Sequence, residues 1–322
     1  MTSILFIGAN SPVRSQSNIG SLAQSAVALG AELATDVQNA DLIICVDYLK
    51  REKDLLLAAE ELGKPRILIK QEPPIVFPDH RFGNPGNLFT KVITRGSPND
   101  AVKFATFQTW DYSNLSNIKR KDRVVAISAN KWSAVAGQLY TLRRQLYATD
   151  RRIDLFGYGW NRSQIQNLEI IVKESVIALR NGLIPNFSGA RWMFQSPVAA
   201  LGPVRDKMKT LADYKVALII ENWIGYMSEK LVDAILSGTI PVYVGPNPSI
   251  FGIPRDLVIW SEPSGDKILK AIDLAMTQSS QEYIERAGEW ISKPGVREFW
   301  EDSCVNQRIM LDILSSKEGL VT

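Results

Sequence analysis

The sequence predicts an α/β protein made of two parallel-sheet units in tandem. Three observations predict it. Short runs of Val, Ile and Leu alternate with longer stretches of helical periodicity, the pattern of strands buried on both faces and joined by helices. The alternation restarts after a polar segment, residues 114–122. Polar clusters fall where predicted strands end, the place where open parallel sheets take their ligands. A length of 322 residues suits two domains of ordinary size.

In the first unit, "SILFIGA" reads as the opening strand and "IGSLAQSAVALGAEL" as the helix after it. "DLIICVDYL" is the second strand, and "REKDLLLAAEELG" a helix stopped at Gly63. "RILIKQE" and "KVITRG" follow as strands. The glycine of "FIGANSP", Gly8, lacks the spacing of a dinucleotide-binding loop and reads as a tight turn. In the second unit, "RVVAISAN" is a strand, "AGQLYTLRRQLYATD" a helix and "RIDLFGYGW" a strand. "YKVALIIEN", "TIPVYVGP" and "DLVIW" complete the sheet, and the chain from Ser264 on reads mainly as helix. The basic stretch "IKRKDR", 118–123, reads as a solvated linker. The irregular stretch 181–197 has the length of a functional loop that orders over a ligand. Trp290, Phe299 and Trp300 read as core rather than as a ligand platform.

Composition bounds the function. The apolar share is 45%, the charged share 22% and the net charge +3. That charge is too small to imply a nucleic-acid partner, while a mildly basic balance suits an anionic small molecule. No run reaches the ~18 apolar residues of a membrane span. The start has no basic flank and reads as a buried strand, not a signal peptide. Cys45 and Cys304 are isolated thiols, as in a reducing cytosol, so a cytoplasmic location is expected. With His80 the one histidine, a structural zinc site is not expected.

The densest polar cluster is "ENWIGYMSEK", 221–230. It lies where a predicted strand ends and the helix "EKLVDAILSG" begins, with Ser228 as expected N-cap. Backbone N–H groups at a helix start attract phosphate. Lys230 adds a mobile point charge. Glu229 is an acceptor-only carboxylate able to bridge two sugar hydroxyls. Tyr226 offers a face to a base or sugar. A glutamate in a first turn is also favoured by the helix dipole alone, by up to about 1 kcal/mol, so group types leave both readings open.

The segment "YKVALIIENWIGYMSEKLVDAILSGTIPVYVG" resembles the signature of the family-10 glycosyltransferases, the α-1,3/1,4-fucosyltransferases. "KQEPPIVFP" resembles a segment of their N-terminal domain. "VVAISANKWS", an Arg-bearing helix and "IDLFGYGWN" resemble the start of their donor domain. In order, these echoes span roughly residues 70–260. The resemblance implies a GT-B architecture, two Rossmann-like domains facing a cleft. Residues 1–117 would form the N-terminal, acceptor-side domain. Residues 118–322 would form the donor-binding domain, with the C-terminal helices free to pack back on the first.

The resemblance also implies roles. Lys230 would contact the donor diphosphate, Glu229 the ribose hydroxyls and Tyr226 the nucleotide. Glu221 and Asn222 would face the donor sugar. An arginine after "SAN" would clamp the diphosphate; the register leaves Arg143 and Arg144 open, with a slight preference for Arg143. Glu72, in "QEPP", would be the general base that takes the proton of the attacking acceptor hydroxyl. The implied reaction is inverting transfer of fucose from GDP-fucose to a saccharide hydroxyl. The rivals are a GT-B transferase with another nucleotide sugar, and a catalytically silent nucleotide-sugar-binding protein that would not need Glu72. No D-x-D motif is present, so no tightly held metal is expected, with a divalent ion at most stimulatory. His80, Arg81 and Asn84 sit in a turn-rich stretch that reads as surface loop, with an acceptor pocket as its other reading. Two positions depart from the family pattern. Trp223 stands where serine is frequent, and Gly225 where many members have aspartate.

Overall fold

A strand points successive side chains to opposite faces. Strands apolar at every position therefore have to be covered on both sides, and the computed structural model of the chain shows how. It describes residues 1–9, 19–73, 75–76, 85–95, 112–195 and 200–316. They fall into two compact units, Met1–Ala105 with Arg297–Thr322, and Thr106–Val296.

In the first unit, β1 (Ser3–Gly8), β2 (Glu32–Leu33), β3 (Leu42–Val46), β4 (Arg66–Lys70) and β5 (Lys91–Thr94) form a sheet of order β2-β1-β3-β4-β5. All described pairings are parallel. Ile4 and Phe6 of β1 and Ile44 and Val46 of β3 face one cluster with Leu22 and Ala26 of α1 (Ile19–Ala28). Leu5, Ile7, Ile43 and Cys45 face the other, with Leu56 and Ala59 of α2 (Lys53–Glu61). The helix at the far end of the chain, Asp302–Ser315, belongs to this unit. Its Val305, Ile309 and Ile313 are buried in the α1 cluster, each worth about 1.5–3 kcal/mol of apolar burial. The helix predicted over 19–33 is shorter than its pattern. Hydrogen bonds from Leu29, Gly30 and Ala31 back to Ser25, Val27 and Ala26 close it, and Glu32 and Leu33 instead pair with β1 as an edge strand.

The second unit carries β6 (Lys121–Ile127), β7 (Ile153–Phe156), β8 (Tyr214–Ile220), β9 (Ile240–Val244) and β10 (Ile259–Trp260), in the order β10-β9-β8-β6-β7. These pairings are parallel too. Counted within each unit, the two strand orders are the same. Helices α3 (Tyr140–Thr149) and α4 (Gln164–Arg180) flank β7 in sequence, α5 (Lys207–Ala212) precedes β8, and α6 (Lys230–Leu236) joins β8 to β9. Beyond β10, α7 (Gly265–Thr277) buries Ile268 and Ile272, and α8 (Ser280–Ile291) buries Tyr283 and Trp290. Trp300 of α9 (Val296–Trp300) is buried as predicted, whereas Phe299 is exposed beneath the Arg308 guanidinium, 4.6 Å from its ring centre. The helix Asp302–Ser315 is α10.

The basic stretch 118–123 is not a solvated linker. Arg120 donates to the carbonyls of Tyr214, at 3.1 Å, and Ser237, at 2.9 Å. Lys121 opens β6 and lies over the Tyr214 ring, and Arg123 pairs with Asp154 at 2.6 Å. Charges that look free in sequence are here fastened across the sheet edge. No described helix is long and apolar enough to cross a membrane.

Candidate functional site

In the second unit, β7 lies on one side of β6 and β8 on the other. The connections leaving β6 and β8 therefore diverge, and such a switch point opens a crevice at the carboxyl ends of the strands. The residues singled out at 143–144 and 221–230 line that end.

Arg143 and Arg144 are neighbours on α3, and both are 3% exposed. Arg143 turns to β8. Its Nε donates to the Ile220 carbonyl at 2.9 Å, and a terminal nitrogen donates to Asn222 Oδ1 at 2.8 Å. Arg144 turns to the connection after β6. It donates to Asn130 Oδ1 and, at 2.7 Å, to the Trp192 carbonyl. Burial, with Arg162 nearby, lowers its pKa to about 10, so it stays cationic at neutral pH. Its Nε is buried with no hydrogen-bond partner among the described residues. The two arginines thus bind the connections on either side of the switch point.

Glu221 is fully buried directly after β8. Its Oε1 accepts the Ser228 N–H at 2.8 Å, and Oε2 accepts the Ser228 hydroxyl at 2.8 Å. The Lys230 ammonium stands 3.6 Å from Oε2 and donates to Ser228 Oγ at 3.3 Å. The Tyr243 hydroxyl closes the set at 3.5 Å. A buried carboxylate needs such partners, and these fold the turn 223–228 back on its strand. Helix α6 begins at Lys230 with Glu229 as N-cap. Ser228, the predicted cap, spends its hydroxyl proton on Glu221 and receives the Lys230 N–H at 3.4 Å.

Glu229 is held by Lys207, a residue that no sequence motif marks. Lys207, at the start of α5, lies 3.1 Å from its Oε1 and also contacts the buried Asp233. Burial alone would raise the Glu229 pKa, but Lys207 and Lys230 more than offset it and hold the carboxyl at about 2. Lys207 is itself raised: burial opposes its charge, and Glu229 and Asp233 outweigh that. Lys207 precedes β8 with no local motif, so only the folded chain shows it beside 229–230. Asn130 sits within the quoted "SAN", but its role as the arginine's acceptor needs the tertiary contact.

Tyr226 is buried, and its N–H donates to the Trp223 carbonyl at 3.3 Å. Trp223 is half-buried and pairs as an isolated antiparallel bridge with Gln138. Its ring lies across two glycines. A Cβ on Gly137 would meet the indole Nε1 at 2.8 Å, and one on Gly225 would meet Cζ3 at 2.8 Å. The two departures from the family pattern, Trp223 and Gly225, are therefore one packing arrangement. The irregular stretch 181–195 is fastened to this unit through Arg144 on Trp192, Asn167 on Met193 at 2.8 Å and Asn186 on Ala134 at 2.8 Å.

Glu72 lies in the first unit, after β4 and half-buried. Its N–H donates to Asp47 Oδ1 at 3.2 Å, and the Gln71 N–H donates to the same oxygen at 2.8 Å. His80, Arg81 and Asn84 lie outside the described residues. Among the described residues, no group of three or more His, Cys, Asp or Glu side chains is arranged to hold a metal ion.

No protein-family model matches the chain, and no curated protein matches it by sequence. Solved structures do match. Anabaena Alr3699/HepE, in complex with UDP and glucose, aligns with a TM-score of 0.56 at 13% identity, over 98% of this chain and 100% of that one. The same protein with UDP-glucose aligns with a TM-score of 0.54 at 14% identity, over the same shares. An α1,3-fucosyltransferase aligns with a TM-score of 0.50 at 14% identity, over 98% of this chain and 90% of that one. The likeness is one of fold. Two parallel five-stranded sheets with helices are the architecture of the GT-B glycosyltransferases.

Proposed function

We propose that the chain is a glycosyltransferase that binds a nucleoside diphosphate sugar on its second unit and passes the sugar to a saccharide hydroxyl. The observation that carries this reading is the gathering of Arg143, Arg144, Asn222 and Lys230 at the switch point of a GT-B sheet. A diphosphate needs cations held in place, because charge grows on it as the glycosidic bond breaks, and fixed charges meet that demand without reorganising. Lys230 is assigned the diphosphate, Glu229 the ribose hydroxyls and Asn222 the donor sugar. Arg144, with its open Nε, and Arg143 support the same edge. Glu221 holds Ser228 and Lys230 in position, and Tyr226 packs the turn beneath the nucleotide.

In the finer form of the proposal the donor is GDP-fucose and the reaction inverts. The acceptor oxygen bonds to the anomeric carbon while the bond to the diphosphate oxygen breaks. The diphosphate leaves with the electron pair, and Glu72 takes the hydroxyl proton, a step worth perhaps 10²–10⁴-fold. No resident metal is assigned, and the reaction is placed in the cytoplasm. A second reading, a UDP-sugar donor, is favoured by the fold likeness to a protein crystallised with UDP-glucose.

The test is donor binding and transfer across GDP-fucose, GDP-mannose, UDP-glucose and UDP-galactose, for wild type, Glu72→Ala and Lys230→Ala. Glu72→Ala is expected to keep donor binding and lose turnover at least a hundredfold, and Lys230→Ala to weaken donor binding at least tenfold. Full turnover in Glu72→Ala removes the base assignment. A UDP-sugar preference replaces fucose. Donor binding without transfer or hydrolysis in wild type makes the chain a binding protein, and no nucleotide-sugar binding at all ends the proposal.

A further inference from the structure

Helix α4 buries Asn167, Ile171 and Ala178 against Trp132, Ala134 and Met193. Its other face is unusual. Ile165 (72% exposed), Leu168 (51%), Val172 (54%), Val176 (38%) and Leu179 (61%) all point to solvent. At 3.6 residues per turn these five fall within about 80° of arc and run for about 21 Å. Such a continuous stripe differs from the scattered single apolar residues of ordinary surfaces, and it marks an interaction face. Past the helix, Ile184 and Phe187 are exposed as well. A capping box of Ser163 and Gln166 fixes the helix start, so the stripe is rigid.

We propose that a second copy of this chain covers the stripe, as an antiparallel helix pair about a two-fold axis at Val172. The intervals between stripe residues are 3, 4, 4 and 3 positions, a sequence that reads the same in both directions. A two-fold at Val172 therefore sets Ile165 against Leu179 and Leu168 against Val176, with Val172 against itself. Self-complementarity of this kind is what an isologous interface requires. Charge agrees. Glu169 and Lys173 lie on the same flank of the stripe, just before and just after the axis. In an antiparallel pair that flank meets its own copy, and Glu169 comes opposite Lys173 of the second copy, twice. A lipid surface is the weaker occupant, because interfacial helices carry a strongly basic polar face, whereas this helix balances Lys173 and Arg180 with Glu169 and Glu174. The inference does not depend on the proposed activity.

Sedimentation equilibrium of the full chain tests it. Wild type is expected to reach the mass of two chains as concentration rises, and Val172→Glu to stay at one chain with an unchanged melting temperature. Glu169→Lys is expected to weaken association about threefold or more, and adding Lys173→Glu to restore it. Oxidised Val172→Cys should cross-link two copies, a readout that survives any loss of stability. A wild-type monomer up to ~1 mM, where association is worth only about 4 kcal/mol, overturns the proposal. So does a dimer unaffected by Val172→Glu. A monomer whose binding to phosphatidylglycerol vesicles is abolished by Val172→Glu overturns it in favour of lipid.

Discussion

The two units share a strand order, and each buries a carboxylate directly after its third strand. In the first unit it is Asp47, after β3; in the second it is Glu221, after β8. They are satisfied differently. Asp47 adopts a left-handed backbone, φ 53°, and accepts the amide N–H groups of Gln71 and Glu72 from the segment after the neighbouring strand. Glu221 takes the Ser228 amide and hydroxyl and lies 3.6 Å from Lys230. The residues that follow differ too. Tyr48 turns into the core, edge-on to Phe89, whereas Trp223 lies half-buried across two glycines. One position in a common scaffold thus fixes backbone in the first unit and a charged turn in the second. The first arrangement sets a segment's path. The second couples that path to the Lys230 ammonium.

The largest effects should come where the scaffold itself leaves no room. Gly8, at φ 113°, would place a Cβ 2.0 Å from the Val46 carbonyl oxygen, and Gly157, at φ 135°, one 2.0 Å from that of Ser128. Val46 is paired with Gly8 in the ladder and the Ser128 carbonyl accepts the Trp160 indole N–H at 2.7 Å, so neither oxygen steps aside freely, and the backbone conformation is itself unfavourable for an L side chain. Gly8→Ala and Gly157→Ala should each cost more than about 4 kcal/mol, read as a lost or strongly shifted urea transition. Equal tolerance of both would show that the strand exits are not rigid.

The second unit's turn also leans on Lys207. Lys207→Met leaves Asp233 buried beside Glu229 without their common cation, and breaking a buried pair costs about 3 kcal/mol or more. The pH dependence follows with its sign. Glu229 sits at about 2 in the folded chain, below the ~4.3 of an unfolded glutamate. Its depressed pKa adds stability that is complete above about pH 5 and is lost as pH falls towards 2. Urea midpoints from pH 7 to pH 3 should fall more steeply for wild type than for Lys207→Met. Parallel curves would mean that Lys207 does not hold Glu229.

A smaller effect separates the two carboxylates. Asp47→Asn keeps an acceptor oxygen for both amides, and asparagine tolerates a positive φ, so a cost below about 1 kcal/mol is expected. Glu221→Gln keeps the shape but loses the charge that faces Lys230. Because the site is buried, a cost of about 2 kcal/mol is expected, together with weaker donor binding as Lys230 moves. If the two substitutions cost the same, the charge on Glu221 does not matter to the turn.

Both sheets were legible in the sequence because continuous apolar runs between helical periods admit few other folds. The strand exits at 72, 130 and 221–230 were legible for the same reason. What the sequence hid was direction. Adjacent arginines on α3 look interchangeable in sequence. In the structure they point to opposite sides of the switch point, Arg143 to Asn222 and Arg144 to Asn130. Lys207 is invisible in sequence because its partners, Glu229 and Asp233, lie more than twenty residues on, at the start of another helix. Arg120 looked like linker because a basic run reads as solvated until its acceptor carbonyls are folded around it.

The contrast between Tyr48 and Trp223 gives the finest test. Gly225 has no positive φ, and the three atoms nearest an alanine Cβ there all belong to the Trp223 ring, at 2.8 to 3.2 Å. In wild type the ring must shift, at a cost of about 1 kcal/mol, the lower end for overpacking. Once Trp223 is alanine those three contacts are gone. The same Gly225→Ala change then restricts only the unfolded chain and should stabilise by about 0.5 kcal/mol. The sign of one substitution therefore reverses with its neighbour, a coupling of about 1.5 kcal/mol in a double-mutant cycle of urea stabilities. Donor binding measured on the same four proteins separates fit from stability. If the ring shapes the sugar's space, Trp223→Ala changes the preference among nucleotide sugars, whereas a ring that only packs the turn changes all donors alike.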